Sequence, residues 1–147
     1  MKMIKELSKK YGGALFEFDT TIKANGKYYL KDIISDAEYK RWFSTRKQGK
    51  IFILNKGRCG NGGTTGFIEY AKKNYKGLSI IVPNVSIVKS KEWDDELCCL
   101  YGGVEGVDRD KPIRVCTWDM HKVVEAFPQF GMDIDNRFWA GSLLVVD

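Results

Sequence analysis

Ile51-Phe52-Ile53-Leu54-Asn55-Lys56-Gly57-Arg58-Cys59-Gly60-Asn61-Gly62-Gly63-Thr64-Thr65-Gly66 is the stretch on which the reading of this 147-residue chain turns. Its apolar start, residues 51–54, has the composition of a buried strand, and Phe67-Ile68-Glu69-Tyr70-Ala71-Lys72-Lys73 after it has that of a helix. Five glycines stand between Gly57 and Gly66. Glycine lets backbone amides approach a ligand closely and adopt dihedrals that other residues avoid. A helix start adds orphan N–H groups and a positive partial charge. Strand, glycine turn and helix together make a phosphate cradle. The pattern G-x-x-x-x-G-K-[ST] fits at Gly57, Gly62 and Thr64, but Gly63 occupies the lysine position.

From this pattern the expected ligand is a nucleoside triphosphate such as ATP, with Mg²⁺. The groups expected to hold its phosphates belong to Gly57, Gly60, Asn61, Gly62, Gly63, Thr64 and Thr65, and the Thr64 hydroxyl is the expected ligand of Mg²⁺. Lys56 and Arg58 are the nearest cations, but neither starts from the missing lysine's position. Two other readings stand beside this one. A glycine-rich turn can join strand and helix with no ligand at all. A dinucleotide site would use Gly60-Asn61-Gly62, but Thr65 then fills the third glycine position and no acidic residue follows the next strand at Pro83-Asn84.

Downstream, Leu78-Ser79-Ile80-Ile81-Val82-Pro83, Lys111 to Thr117 and Gly141 to Asp147 read as strands. Helices are expected over about 64–75 with Gly77 as the stop, over Val85 to Trp93 with Asn84 or Ser86 as cap, and over Asp119 to Phe127. Upstream, residues 1–10 suggest a short helix. Leu15 to Phe18 and Lys27 to Leu30 suggest strands around an Ala24-Asn25-Gly26 turn, and Ser35-Asp36-Ala37-Glu38 reads as a capped helix start running to about Gln48-Gly49. Alternation of continuously apolar strands with helices predicts an α/β fold. Its parallel sheet would carry helices on both faces, after a small N-terminal α+β lobe over residues 1–50.

Composition narrows the function classes. The net charge of +5 suits nucleotide or nucleic-acid partners, although the basic residues are dispersed. No apolar run is long enough for a membrane helix, and the charged N-terminus has no signal core, so a cytoplasmic location is expected. Four cysteines at 59, 98, 99 and 116 fit no zinc spacing, and there is a single histidine, so reduced thiols and no structural metal are expected. Cys59 is either a small loop filler or a thiol activated by the helix start. Asp94-Asp95-Glu96 and Asp133 with Asp135 read as solvated loops, and Trp93, Phe138 and Trp139 as packing residues.

In order and spacing these segments resemble the first RecA-like domain of superfamily 2 (DEAD/DEAH-type) helicases, over about residues 50 to 147. Val82-Pro83-Asn84 resembles that family's V-P-T-like segment. Arg114-Val115-Cys116-Thr117-Trp118-Asp119-Met120 resembles its V-T-T-Y-D-S-L segment. Leu143-Leu144-Val145-Val146-Asp147 resembles the strand that ends in its D-E box. The loop ending Gly-Thr-Thr without lysine is similar to a variant associated with phage and plasmid helicase-like proteins, which implies a bacterial or phage-infected cell. The resemblance implies a partial P-loop NTPase domain over 51–147, with Asp147 holding Mg²⁺ through water and Pro83, Asn84, Thr117 and Trp118 meeting a single-stranded or duplex nucleic acid. The family's catalytic glutamate would follow Asp147, and its second RecA-like domain would follow that, so residues 1–147 alone are expected to bind nucleotide without unwinding anything. The alternative is a degenerate P-loop-fold module that serves as a nucleic-acid or protein-binding adaptor.

Overall fold

Leu78–Val82 form strand β1, and all five residues are buried. A strand with no exposed face must be covered on both sides and paired on both edges. β1 pairs in parallel with β3 (Ile113–Thr117) on one edge and with β4 (Leu143–Val146) on the other. β2 (Leu97–Leu100) pairs in parallel with β3, giving the order β2-β3-β1-β4. This is the parallel α/β sheet that the apolar strands predict. The computed structural model describes residues 20–45, 54–57, 60–120 and 143–146. The expected strand at 51–53, the helix beyond Met120, the first elements at 1–18 and the aromatic pair Phe138 and Trp139 lie outside the described residues.

Among the described residues the helices α1 (Leu30–Ile33), α2 (Asp36–Phe43), α3 (Gly63–Lys73) and α4 (Val85–Lys89) accompany the sheet. Side chains alternate across a strand, and the register sorts them into two faces. Leu78, Ile80, Val82, Leu97, Cys99, Ile113, Val115 and Leu143 share one core with Leu30, Tyr39, Trp42, Phe43, Phe67, Tyr70, Ala71 and Val88 from the helices. Residues 30–43 therefore pack on α3 and share one core with it and the sheet. On the other face Ile81, Cys98, Leu100 and Cys116 pack with Val104, Val107 and Met120. Among the described residues the four numbered helices all reach the first face, and loop residues with the Trp118–Met120 helix start cover the second.

Local chemistry explains the helix ends. Ser35 caps α2, its Oγ accepting from the Glu38 amide at 3.2 Å. Asn84 caps α4, its Oδ1 accepting from the Ile87 amide at 3.2 Å. Both caps were legible, but both helices stop early: α2 at Phe43 rather than near Gly49, and α4 at Lys89 rather than Trp93. Trp93 is 79% exposed, against the expectation that it packs. The helix α3 closes before Gly77. The Lys76 amide donates to the Ala71 carbonyl and the Tyr75 amide to that of Lys72, which is the Schellman closure with Tyr75 in the left-handed region at φ 52°.

Three further expectations are corrected. Lys27 to Tyr29 forms no strand, and Leu30 begins α1. Leu97-Cys98-Cys99-Leu100, given no element from sequence, is a fully buried strand. Asp94 is not a solvated loop residue: Lys72 of α3 donates to its carboxylate, whose side chain is only 11% exposed. That contact offsets the cost of burial and holds the Asp94 carboxyl below its ordinary range.

The helices α2 and α3 meet through aromatic rings. Tyr39 stacks on Tyr70 with centroids 5.2 Å apart and meets Trp42 and Phe67 edge-on at 5.5 Å. Gly66 allows this approach, since a Cβ there would overlap the Tyr39 hydroxyl.

Two measurements follow from this packing. Tyr75 is 95% exposed and held at positive φ, so Tyr75→Gly removes strain without removing a core contact. The expected gain is about 1 kcal/mol by chemical denaturation. Burial, with Glu69 and Asp36 nearby, pushes the Tyr39 phenol up to about 12 from 10. A raised folded value means this stabilisation is complete below pH 10 and is lost as pH rises toward 12. Alkaline titration of stability should show wild type losing about 2 kcal/mol more than Tyr39→Phe across that window.

Candidate functional site: the glycine turn and the carboxyl edge of the sheet

The helix α3 is joined to β1 by only residues 74–77 and so runs antiparallel to it. Eleven helical residues and five strand residues both span about 16 Å. The start of α3 therefore lies level with the carboxyl ends of the strands, the edge at which open α/β sheets bind ligands.

The turn entering α3 is built from glycines at positive φ: Gly57 at 80°, Gly60 at 73° and Gly62 at 76°. Gly62 is the N-cap and brings no side chain to the orphan amides of the first turn. The turn is braced from outside. The Lys56 carbonyl accepts from Asn61 Nδ2 and, at 3.0 Å, from the Tyr28 hydroxyl. The Leu30 amide donates to the Asn61 carbonyl at 2.8 Å, and the Gly57 amide to Asn55 Oδ1 at 3.0 Å. Tyr28 crosses so close that a Cβ on Gly57 would stand 2.7 Å from its hydroxyl. The segment 28–30 is thus a strap over the glycine turn, and nothing in the glycine pattern signals it.

Asn61 is 1% exposed, and its Oδ1 has no hydrogen-bond partner among the described residues. A buried amide oxygen left this way costs about 1–3 kcal/mol unless a donor reaches it. It lies 3.9 Å from where a Cβ on Gly63 would stand, facing the first turn of α3. Lys91, in the turn after α4, donates to Thr65 Oγ1 at 3.5 Å, so a cation from another element also reaches this turn.

Of the expected phosphate-binding residues, Gly57, Gly60, Asn61, Gly62, Gly63, Thr64 and Thr65 lie together in this turn and helix start. Arg58 and Cys59 lie outside the described residues, as does Asp147, the second expected Mg²⁺ ligand. No cluster of three or more His, Cys, Asp or Glu side chains suited to a metal occurs among the described residues. No described helix is long and apolar enough to cross a membrane.

The four residues expected to meet nucleic acid also converge. Pro83 and Asn84 follow β1, while Thr117 ends β3 and Trp118 begins the next helix. With Val85, Gly102, Asp119 and Met120 they line an open groove of about 560 Å³. Parallel pairing of Val82 with Thr117 puts the two strand ends side by side. Trp118 is 51% exposed and Val85 39%, so the groove offers an aromatic face and an apolar wall beside the Asn84 cap.

Cys98, Cys99 and Cys116 are buried and form no disulfide. Burial pushes the Cys99 thiol up to about 11 and raises that of Cys98, against the opposing pull of Arg114. Neither is a nucleophile near neutral pH. Arg114 is 2% exposed between Cys98 and Ser79 in the sheet register, and burial draws its guanidinium below the ordinary range.

Comparison with protein-family models, with curated proteins and with solved structures returns no match for this chain.

Proposed function

We propose that this chain binds the phosphates of a nucleoside triphosphate such as ATP at the start of α3, as the front part of a helicase-like P-loop NTPase. The observation that carries the reading is the first turn of α3. It follows three glycines at positive φ, its N-cap Gly62 brings no side chain, and it opens at the carboxyl edge of a parallel sheet. The Thr64 hydroxyl, one residue into the helix, is the group in this turn suited to Mg²⁺, which would bridge phosphate oxygens and offset their charge. Under the helicase-like resemblance Asp147 would hold the same ion. The proposal is for binding and does not include phosphoryl transfer. In the same reading, a nucleic-acid strand crosses the groove at Pro83, Asn84, Thr117 and Trp118. There the exposed indole offers a stacking face and the net charge of +5 favours a polyanion.

One observation favours a second reading. The groove is formed by described residues without any contribution from the glycine turn. An adaptor that binds nucleic acid and no nucleotide needs only that groove.

Titration of ATP–Mg²⁺ by calorimetry separates the two. Dissociation constants between about 10 µM and 1 mM are expected, with Thr64→Ala weakening the Mg²⁺-dependent part several-fold. Absence of heat at about 1 mM nucleotide refutes the triphosphate reading. Salt-dependent quenching of Trp118 fluorescence by single-stranded DNA, with no ATP binding, supports the adaptor instead.

A further inference from the structure

Gly63 is a flaw in the phosphate pattern only if nothing else brings a cation to its place. Lys56 does so. Its Cδ lies 3.5 Å from where a Cβ on Gly63 would stand, so its aliphatic stem runs across the face of that glycine. The ammonium is two bonds beyond Cδ, within about 2.5 Å of that carbon. On the same glycine, Leu30 Cδ1 lies 3.4 Å from the Cβ position. Gly63 therefore sits between Leu30 and the Lys56 stem, and a long side chain rooted at 63 would run beside that stem.

The approach of Lys56 is fixed by its backbone. Its carbonyl accepts from both Tyr28 and Asn61, and the residue after it turns at a positive φ that suits glycine. Asn61 is thus a link as well as a loop residue. Its Nδ2 holds Lys56 in place, while its buried Oδ1, partnerless among the described residues, faces the start of α3. A buried acceptor at that mouth calls for a donor such as a water on a bound cation or a protonated phosphate oxygen. It is an indication of a ligand independent of the helix start itself.

We infer that Lys56 is the phosphate-binding cation of this site, supplied from the entry to the glycine turn in place of the lysine that Gly63 lacks. The inference rests on the triphosphate reading and deepens it. The ligand class is an inorganic or nucleoside polyphosphate, met by the amides of the first turn from one side and by the Lys56 ammonium from the other. A lysine suits this role because its stem can lie on Gly63 while its head stays at the phosphates.

The test titrates tripolyphosphate and ATP–Mg²⁺ into the whole chain by calorimetry, with thermal melts to check folding. Lys56→Ala should weaken both ligands roughly ten- to a hundredfold, the loss expected for one charged hydrogen bond. Lys89→Met removes the same net charge from α4 and should leave affinity unchanged. Lys56→Ala/Gly63→Lys removes that stem and supplies a lysine from the other side, and should regain most of the lost affinity. Wild-type affinity in Lys56→Ala overturns this inference and leaves the triphosphate reading standing, and a double variant no better than Lys56→Ala also overturns it. A wild-type chain that binds neither ligand removes both proposals together.

Discussion

Burial of β1 on both faces and both edges is the constraint from which the rest of the molecule follows. Leu78, Ser79, Ile80, Ile81 and Val82 are each 2% exposed or less. In such a strand every backbone amide and carbonyl must be paired, because none can reach water. Parallel neighbours provide that pairing, and a parallel neighbour needs a crossover, which carries helices and loops back over the sheet. Residues 83–112 make the described return, from β1 through α4 and β2 to β3. The same geometry brings the ends of β1 and β3 together, so that Pro83-Asn84 and Thr117-Trp118 become walls of one groove. The groove is thus a consequence of register. Val82 lies opposite Thr117, and each chain must turn away where its pairing stops.

Much of this was legible because the informative signals are local. The segments 78–82, 113–117 and 143–146 are mostly apolar, the first two follow Gly77 and Pro112, and Ser35 and Asn84 carry the oxygens that cap helices. The strand β2 escaped for a physical reason. Leu97-Cys98-Cys99-Leu100 is four residues long, follows three acidic residues and contains two cysteines, so redox chemistry is as natural a reading as burial. What makes it a strand is the free edge of β3, and that edge exists only in the fold. Tyr75 escaped differently. Gly77 has the composition of a helix stop, but the closure uses the residue that the Lys76 and Tyr75 hydrogen bonds select. Trp93 was misjudged because an indole is usually buried, while the turn after α4 projects this one into solvent.

At the candidate site the division is sharper. The glycines, Asn61 and the two threonines could be singled out from spacing alone, because a backbone turn at positive φ is a property that glycine spacing encodes. The strap could not. Tyr28 and Leu30 lie about thirty residues upstream in a segment whose alternation suggests a strand, and their bonds to Lys56 and Asn61 are long-range. Nor does any pattern encode the passage of the Lys56 stem over Gly63. A motif search scores the side chain at a position, whereas a binding site requires a charge at a point in space.

That distinction changes what Gly63 means. With Leu30 on one side and Lys56 on the other, a Cβ at 63 would meet both neighbours at ordinary contact distance, so the flanking groups bear on a long side chain rooted there rather than on a short one. The strap and the start of α3 are therefore linked. Tyr28 and Asn61 hold the Lys56 carbonyl, and the Lys56 stem lies beside Gly63, where a long side chain rooted at 63 would have to share its space. Read by position, the turn lacks a lysine. Read by volume, the aliphatic stem of a lysine from the other end of the loop lies beside that place, and the departure at 63 and the strap over it meet at one residue.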